Sequence, residues 1–213
     1  MLAPLHVDST EHPDTSRFPG LASWKARIED MNALIAHIGD QAFVAAGHSY
    51  GGLAALTLGG AQPVPLAGMA MPLYPRLARA VIAFSPPAPI PMLITAAGYA
   101  RLAVPALIET GSIDVVPGIT APSGDGWKGH LVPYEVAAAG HDRYGLVLEG
   151  VDHYFGGAIG RYDRPGPKQL DRLADANRVV GVFLNAYGES NARARRALAG
   201  LVSDKYPVRL LHK

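Results

Sequence analysis

Five runs of strand length recur along the chain: "MLAPL" (1–5), "AFVAA" (42–46), "AVIAF" (80–84), "ALIET" (106–110) and "LVLE" (146–149). They are apolar rather than alternating, which is the pattern of parallel strands covered on both faces. Helical stretches separate them. In "SWKARIEDMNALIAHIG", Trp24, Ile28, Met31, Ile35 and Ile38 form one stripe, with Ser23 placed to cap the start and Gly39 to end it. In "PKQLDRLADANRVVGVFLNAYG", Leu170, Leu173, Val180, Phe183, Leu184 and Tyr187 face one way and Gly188 stops the helix. Strand alternating with helix predicts an α/β fold, a doubly wound and mostly parallel sheet, in a single domain over residues 1–213. Prolines at 63–75 and 86–91 read as loops around the strand at 80–84. The C-terminal "LVSDKYPVRLLHK" carries no clear signal.

Reactive groups of an open parallel sheet collect at the carboxyl ends of its strands. "GHSYGG" (47–52) falls there, directly after the strand at 42–46 and at the start of a helix. A serine on a sharp strand-to-helix turn sits in a strained conformation, and small residues two before and two after it avoid clashes. The turn aims the Ser49 hydroxyl out of the sheet. It also leaves the Tyr50 N–H at a helix N-terminus, where it can stabilise an oxyanion. Gly52 lets the helix approach the sheet closely.

A nucleophilic serine needs a base, and the base needs an orienting carboxylate, expected in the order acid then histidine after later strands. "VPALIETGSIDVVPG" offers Asp114 and "LVLEGVDHYFGG" offers His153, each just past a strand end. Asp125 and Asp142 read as turn or cap residues, and Asp152 adjoins His153 too closely to face it. Among the other histidines, His130 and His141 flank a short helix and read as surface or packing residues. His37 lies on a helix, His212 in the tail, and His48 packs inside the turn. Tyr50, Tyr154 and Phe155 flank the three residues in sequence. Tyr154 is read as substrate-binding and Phe155 as core. His6, Asp8 and His12 in "HVDSTEH" match no zinc spacing and read as loop polarity.

Bulk properties narrow the class. The sequence lacks cysteine, so disulfides and thiolate chemistry are excluded. The formal net charge is +1 with no basic stripe, which argues against a nucleic-acid partner. No apolar run approaches the ~20 residues that span a bilayer. "MLAPLHVDST" lacks the basic and apolar regions of a signal peptide, so a soluble protein is expected, its compartment left open.

The motifs "GHSYGG", "VPALIETGSIDVVP" and "LEGVDHYFGG" resemble those of the α/β-hydrolase family, more narrowly its dienelactone-hydrolase-like carboxylesterases. The resemblance implies ester hydrolysis through an acyl-enzyme without cofactor or metal. It implies Ser49 as nucleophile, Asp114 as acid and His153 as base. It also implies a site without a large lid, since little chain separates the strands at 80–84 and 106–110. Short-chain, aromatic or polyester-type esters, small or polymeric, are the expected substrates, and homo-oligomerisation stays open. The departure is at the front, where "MLAPLHVDSTEHPD" resembles the family's fourth strand and following loop, leaving three earlier strands without counterpart. A fragment, a gap-filling partner chain, or a moved strand would each account for this. The favoured expectation pairs strand 1–5 with strand 42–46 through a right-handed crossover at 23–38. His6 or Val7 would then supply the second oxyanion N–H. The alternative is a non-catalytic or weakly active relative that acts as a binding module.

Overall fold

The computed structural model describes residues 21–69, 73–116 and 125–213. The expected strand at 1–5, its pairing, and the oxyanion roles of His6 and Val7 lie outside the described residues. The chain forms α1 (Leu21–Ile38), β1 (Phe43–His48), α2 (Tyr50–Leu58), β2 (Ala78–Phe84), α3 (Ala96–Tyr99) and β3 (Ala106–Gly111). A 3₁₀ turn (Gly126–Leu131) leads into α4 (Val132–Val136), then β4 (Arg143–Leu148) and α5 (Leu170–Phe183). A π turn (Leu184–Gly188), α6 (Ala192–Gly200) and β5 (Val208–His212) complete it.

The strands lie in the order β1-β2-β3-β4-β5, the first four parallel and β5 antiparallel to β4. This is a mostly parallel α/β sheet. Apolar cover lies on both faces, as the continuous apolar runs demand. On one face Trp24, Ile28, Leu53, Leu56 and Tyr99 pack on Ala45, Val81, Ala83, Ile108 and Val147. On the other, Val179, Phe183, Ala186 and Leu198 pack on Ala80, Ile82, Leu107 and Leu146. The described strands run in sequential order. α2, α3 and α4 all cover the α1 face, and α5 and α6 return over the opposite one.

Several expectations need correction. Ser23 does not cap α1. It lies two residues inside the helix and is buried, because Leu21 and Ala22 already adopt helical geometry. Gly39 does end that helix, at φ 62°, with its N–H returning to the Ile35 carbonyl. β1 reaches His48, and β4 starts at Arg143, whose buried guanidinium donates to the Leu102, Val104 and His141 carbonyls. On the last long helix Leu170 and Leu184 are exposed, while Ala176, Val179, Phe183, Ala186 and Tyr187 are buried. The buried positions keep their helical spacing through the π turn, and Leu170 and Leu184 lie off that face. β5 was not expected from its sequence. Among the described residues no helix is long and apolar enough to cross a membrane.

Candidate active site

Four neighbouring strand ends converge on one rim of the sheet. Ser49 directly follows β1, Ser85 follows β2, Asp114 lies three residues past β3, and His153 five residues past β4. Parallel pairing aligns these ends: Gly47 faces Ala83, Phe84 faces Glu109, and Gly111 faces Leu148.

Ser49 has φ 55° and ψ −121°, a strained backbone for a residue with a Cβ. Its N–H is tied to the Phe84 carbonyl at 2.8 Å, and its own carbonyl accepts the Gly52 N–H at 2.8 Å. The hydroxyl does not cap α2. Such a turn requires Gly47, where a Cβ would stand 2.1 Å from the Gly51 carbonyl oxygen. Gly52 also matters, since a Cβ there would press on the Phe84 carbonyl and Pro86 at 3.3 Å. Gly51 does not need to be small: nothing lies within 4 Å of its Cβ position. Tyr50 occupies the first position of α2, its ring 5.6 Å from that of Trp24 and beneath the Arg27 guanidinium.

Asp114 and His153 are brought together as the sequence suggested. Asp114 is fully buried, and its Oδ1 accepts the His153 Nδ1–H at 2.8 Å. Its Oδ2 accepts the Ser85 hydroxyl at 2.5 Å and the Thr110 hydroxyl at 3.0 Å. A second imidazole, His130, places Nε2 3.2 Å from Oδ1, within ion-pair reach but not aligned as a hydrogen bond. Its Nδ1 lies 2.7 Å from the Pro86 carbonyl oxygen. Burial works against the Asp114 charge. The two imidazoles against it, His130 and His153, outweigh burial and hold the carboxyl well below the usual carboxylate range.

The loop after β4 is braced so that it presents His153. Asp152 Oδ1 accepts the Tyr154 and Gly156 N–H groups, both at 2.9 Å, and its Oδ2 pairs with Arg164 at 3.3 Å. The Gln169 amide spans the loop, accepting from the Asp152 N–H and donating to the Gly150 carbonyl. His48 Nε2–H donates to the His153 carbonyl at 2.8 Å. Burial, then the neighbouring His153, lower the His48 pKa to about 4, so it is a neutral prop at ordinary pH. The half-buried Tyr154 ring stands edge-on to both His153 and His48, while Phe155 is buried in the core.

One expected contact is not made. His153 Nε2 is buried without a hydrogen-bond partner, so Ser49 and His153 are not bonded to each other here. The sequence reading also missed three residues. His130, expected at the surface or in packing, is only 2% exposed but stands against the acid, and Ser85 and Thr110 supply donors to it. Ser85 had a signal, since it sits just past a strand end as the others do.

Asp114, His130 and His153 are close enough in principle to surround a cation. Ligand atoms on one tetrahedral metal stand about 3.3 Å apart. The 2.8 Å contact between His153 and Asp114 is instead that of a direct hydrogen bond. Elsewhere, a surface groove of about 280 Å³ runs along the β1 edge between Phe43, Val44, Arg79 and Leu184, away from this rim. No family model matches the sequence, and no curated protein matches it significantly.

Proposed function

We propose that this chain is a serine hydrolase of the α/β-hydrolase type that cleaves carboxylic esters. The observation that carries the reading is Ser49, strained on its turn with its hydroxyl unused by α2, next to a buried Asp114–His153 pair at the same rim. Ser49 Oγ attacks the ester carbonyl while His153 Nε2 takes its proton. Asp114 fixes the imidazole tautomer through Nδ1–H and stabilises the cation that forms. The Tyr50 N–H, at the start of α2, donates to the oxyanion. His153 then protonates the leaving alcohol, and activates the water that releases the acid from the acyl-serine. Ser49 Oγ and the unbonded Nε2 must come into hydrogen-bond contact on substrate binding, and catalytic hydrogen bonds commonly tighten only then.

Residues 85–105, between β2 and β3, hold one four-residue helix rather than a helical cover. Exposed Ile113 and Val115 flank Asp114 and, with Tyr154, suit short-chain, aromatic or polymeric esters. The decisive experiment compares hydrolysis of p-nitrophenyl acetate and butyrate by wild type and Ser49→Ala, with fluorophosphonate labelling of Ser49. Loss of the nucleophile should lower turnover by about 10³-fold or more. Equal rates in the two proteins favour the second reading, a non-catalytic binding relative, which the missing Ser49–His153 hydrogen bond supports.

A further inference from the structure

The Asp114 carboxylate holds two imidazoles, and the reaction proposed above uses only one. On His130, Nδ1 is 2.7 Å from the Pro86 carbonyl oxygen, which can only accept, so Nδ1 carries a proton. Its Nε2 is buried, 3.2 Å from Asp114 Oδ1, and has no hydrogen-bond partner. A bare Nε2 would aim its lone pair near an anionic oxygen in a place closed to water. A proton there converts that repulsion into an ion pair. With Nδ1 committed to Pro86 and Nε2 to Asp114, neither nitrogen is left to serve Ser49, so His130 is not a second base.

We propose that His130 is a positioning residue of the hydrolytic site, a doubly protonated imidazole on the Asp114 carboxylate that limits how strongly Asp114 supports the His153 imidazolium. Its effect on rate rests on the hydrolase reading, whereas its protonation state does not. The two rings are 5.7 Å apart, so a proton taken by His153 creates two cations on one carboxylate. The other titratable groups around His130 do not compensate. Burial, then the charge of Asp114, push Glu109 on β3 well above the ordinary carboxyl range and keep it neutral. His48 is held neutral as well. The Tyr99 hydroxyl donates to the Pro87 carbonyl and stays protonated. On its own turn Lys128 pairs with Asp125 at 3.1 Å, and on α4 Glu135 is exposed and Tyr134 is neutral at ordinary pH. Burial opposes charge on His130 itself, but the close Asp114 carboxylate raises its titration above the ordinary histidine value.

The first test is nitrogen NMR on the wild-type protein labelled at histidine, with His130 assigned from the signals lost in His130→Gln, or in His130→Asn if the glutamine variant does not fold. At pH 6.5 both His130 nitrogens should carry protons. A single neutral tautomer at that pH overturns the proposal. The second is the pH profile of kcat/KM for p-nitrophenyl acetate. Gln keeps a donor toward Asp114 without the charge, so removing the cation should stabilise protonated His153 and move the acid limb up by about one to two pH units at an effective dielectric of about 20–40. A folded His130→Gln protein with an unmoved acid limb overturns the proposed control of the base. If neither protein hydrolyses any ester, the hydrolase reading fails, and the NMR result still decides the state of His130.

Discussion

Gly111 lies so close beneath Val151 that a Cβ on it would stand 2.0 Å from the Val151 carbonyl oxygen. This contact joins the loops after β3 and β4, which are further tied by Ile113 N–H to Val151 O and by Gly150 N–H to Ser112 Oγ. Asp114 and His153 meet because these loops meet. Gly111→Ala should therefore destabilise the protein by about 1–3 kcal/mol and lower activity further than stability alone explains. Gly51→Ala is the contrast. It lies in α2 with open space at its Cβ position, so it should gain roughly 0.5–1 kcal/mol. Denaturant midpoints of the two variants, measured together, check both signs.

Ser85 makes the shortest bond to the acid, at 2.5 Å, from a buried position with φ 47°. Ser85→Ala removes a donor from a buried carboxylate and should cost about 1–3 kcal/mol at pH 7, leaving Thr110 as the remaining hydroxyl on Oδ2. The folded-state titration of Asp114 is depressed, so its contribution is present above the unfolded carboxyl value near 3.8 and is lost as pH falls below it. The unfolded chains of wild type and variant titrate alike. The gap between them should therefore hold while the folded carboxyl stays ionised, well below pH 4, and close only as pH approaches its depressed folded-state titration. Urea unfolding at pH 7 and pH 4 tests this, and a gap already lost at pH 4 would remove Asp114 from the explanation.

The parts legible in the sequence were those fixed by local pattern. Strands at 43–48, 78–84, 106–111 and 143–148 announce themselves because burial on both faces demands continuous apolar residues. Ser49, Asp114 and His153 could be named because each lies just beyond such a run. Thr110 and His130 could not, because their roles arise only when a strand residue and a Gly-rich turn converge on one carboxylate. β5 is antiparallel and at the edge of the described sheet, so its order comes from β4 rather than from its own five residues. Leu170 and Leu184 were misplaced because the buried face is centred on Ala176, Val179, Phe183 and Ala186, where small alanines carry less apolar signal than the two leucines beside that face.

His48 is a half-buried prop whose pKa falls to about 4 from the ordinary 6.5, chiefly through burial. A histidine lowered on folding binds its proton less readily in the native state, so stability is full above pH 6.5 and declines as pH falls toward 4. The decline from this residue should be about 3 kcal/mol. His48→Gln keeps a donor for the His153 carbonyl without a titrating group, and should remove that part of the slope. Thermal or urea unfolding at pH 7, 5.5 and 4 measures it. An unchanged slope in the variant would assign the acid sensitivity elsewhere.

Glu109 is 2% exposed on β3, and its Oε2 has no hydrogen-bond partner. Burial, then the Asp114 charge, raise its titration well above the ordinary carboxyl value. A carboxyl raised on folding favours the native state only below its unfolded value. Above about 4.5 the unfolded chain releases a proton that the native chain retains, so stability falls as pH rises. Leucine fills comparable space among Phe84 and Leu146, the cross-strand partners of Glu109, without an unpaired oxygen. Glu109→Leu should therefore be more stable than wild type by about 1–3 kcal/mol at pH 8. Its advantage should shrink as pH falls toward 4.5. Glu109→Gln, polar but never charged, should lose the pH dependence while keeping the unpaired oxygen or amide. Unfolding free energies of the three proteins at pH 5 and pH 8 separate the cost of the charge from the cost of the polar group, and a pH-independent difference between wild type and the leucine variant would show that Glu109 does not titrate between them.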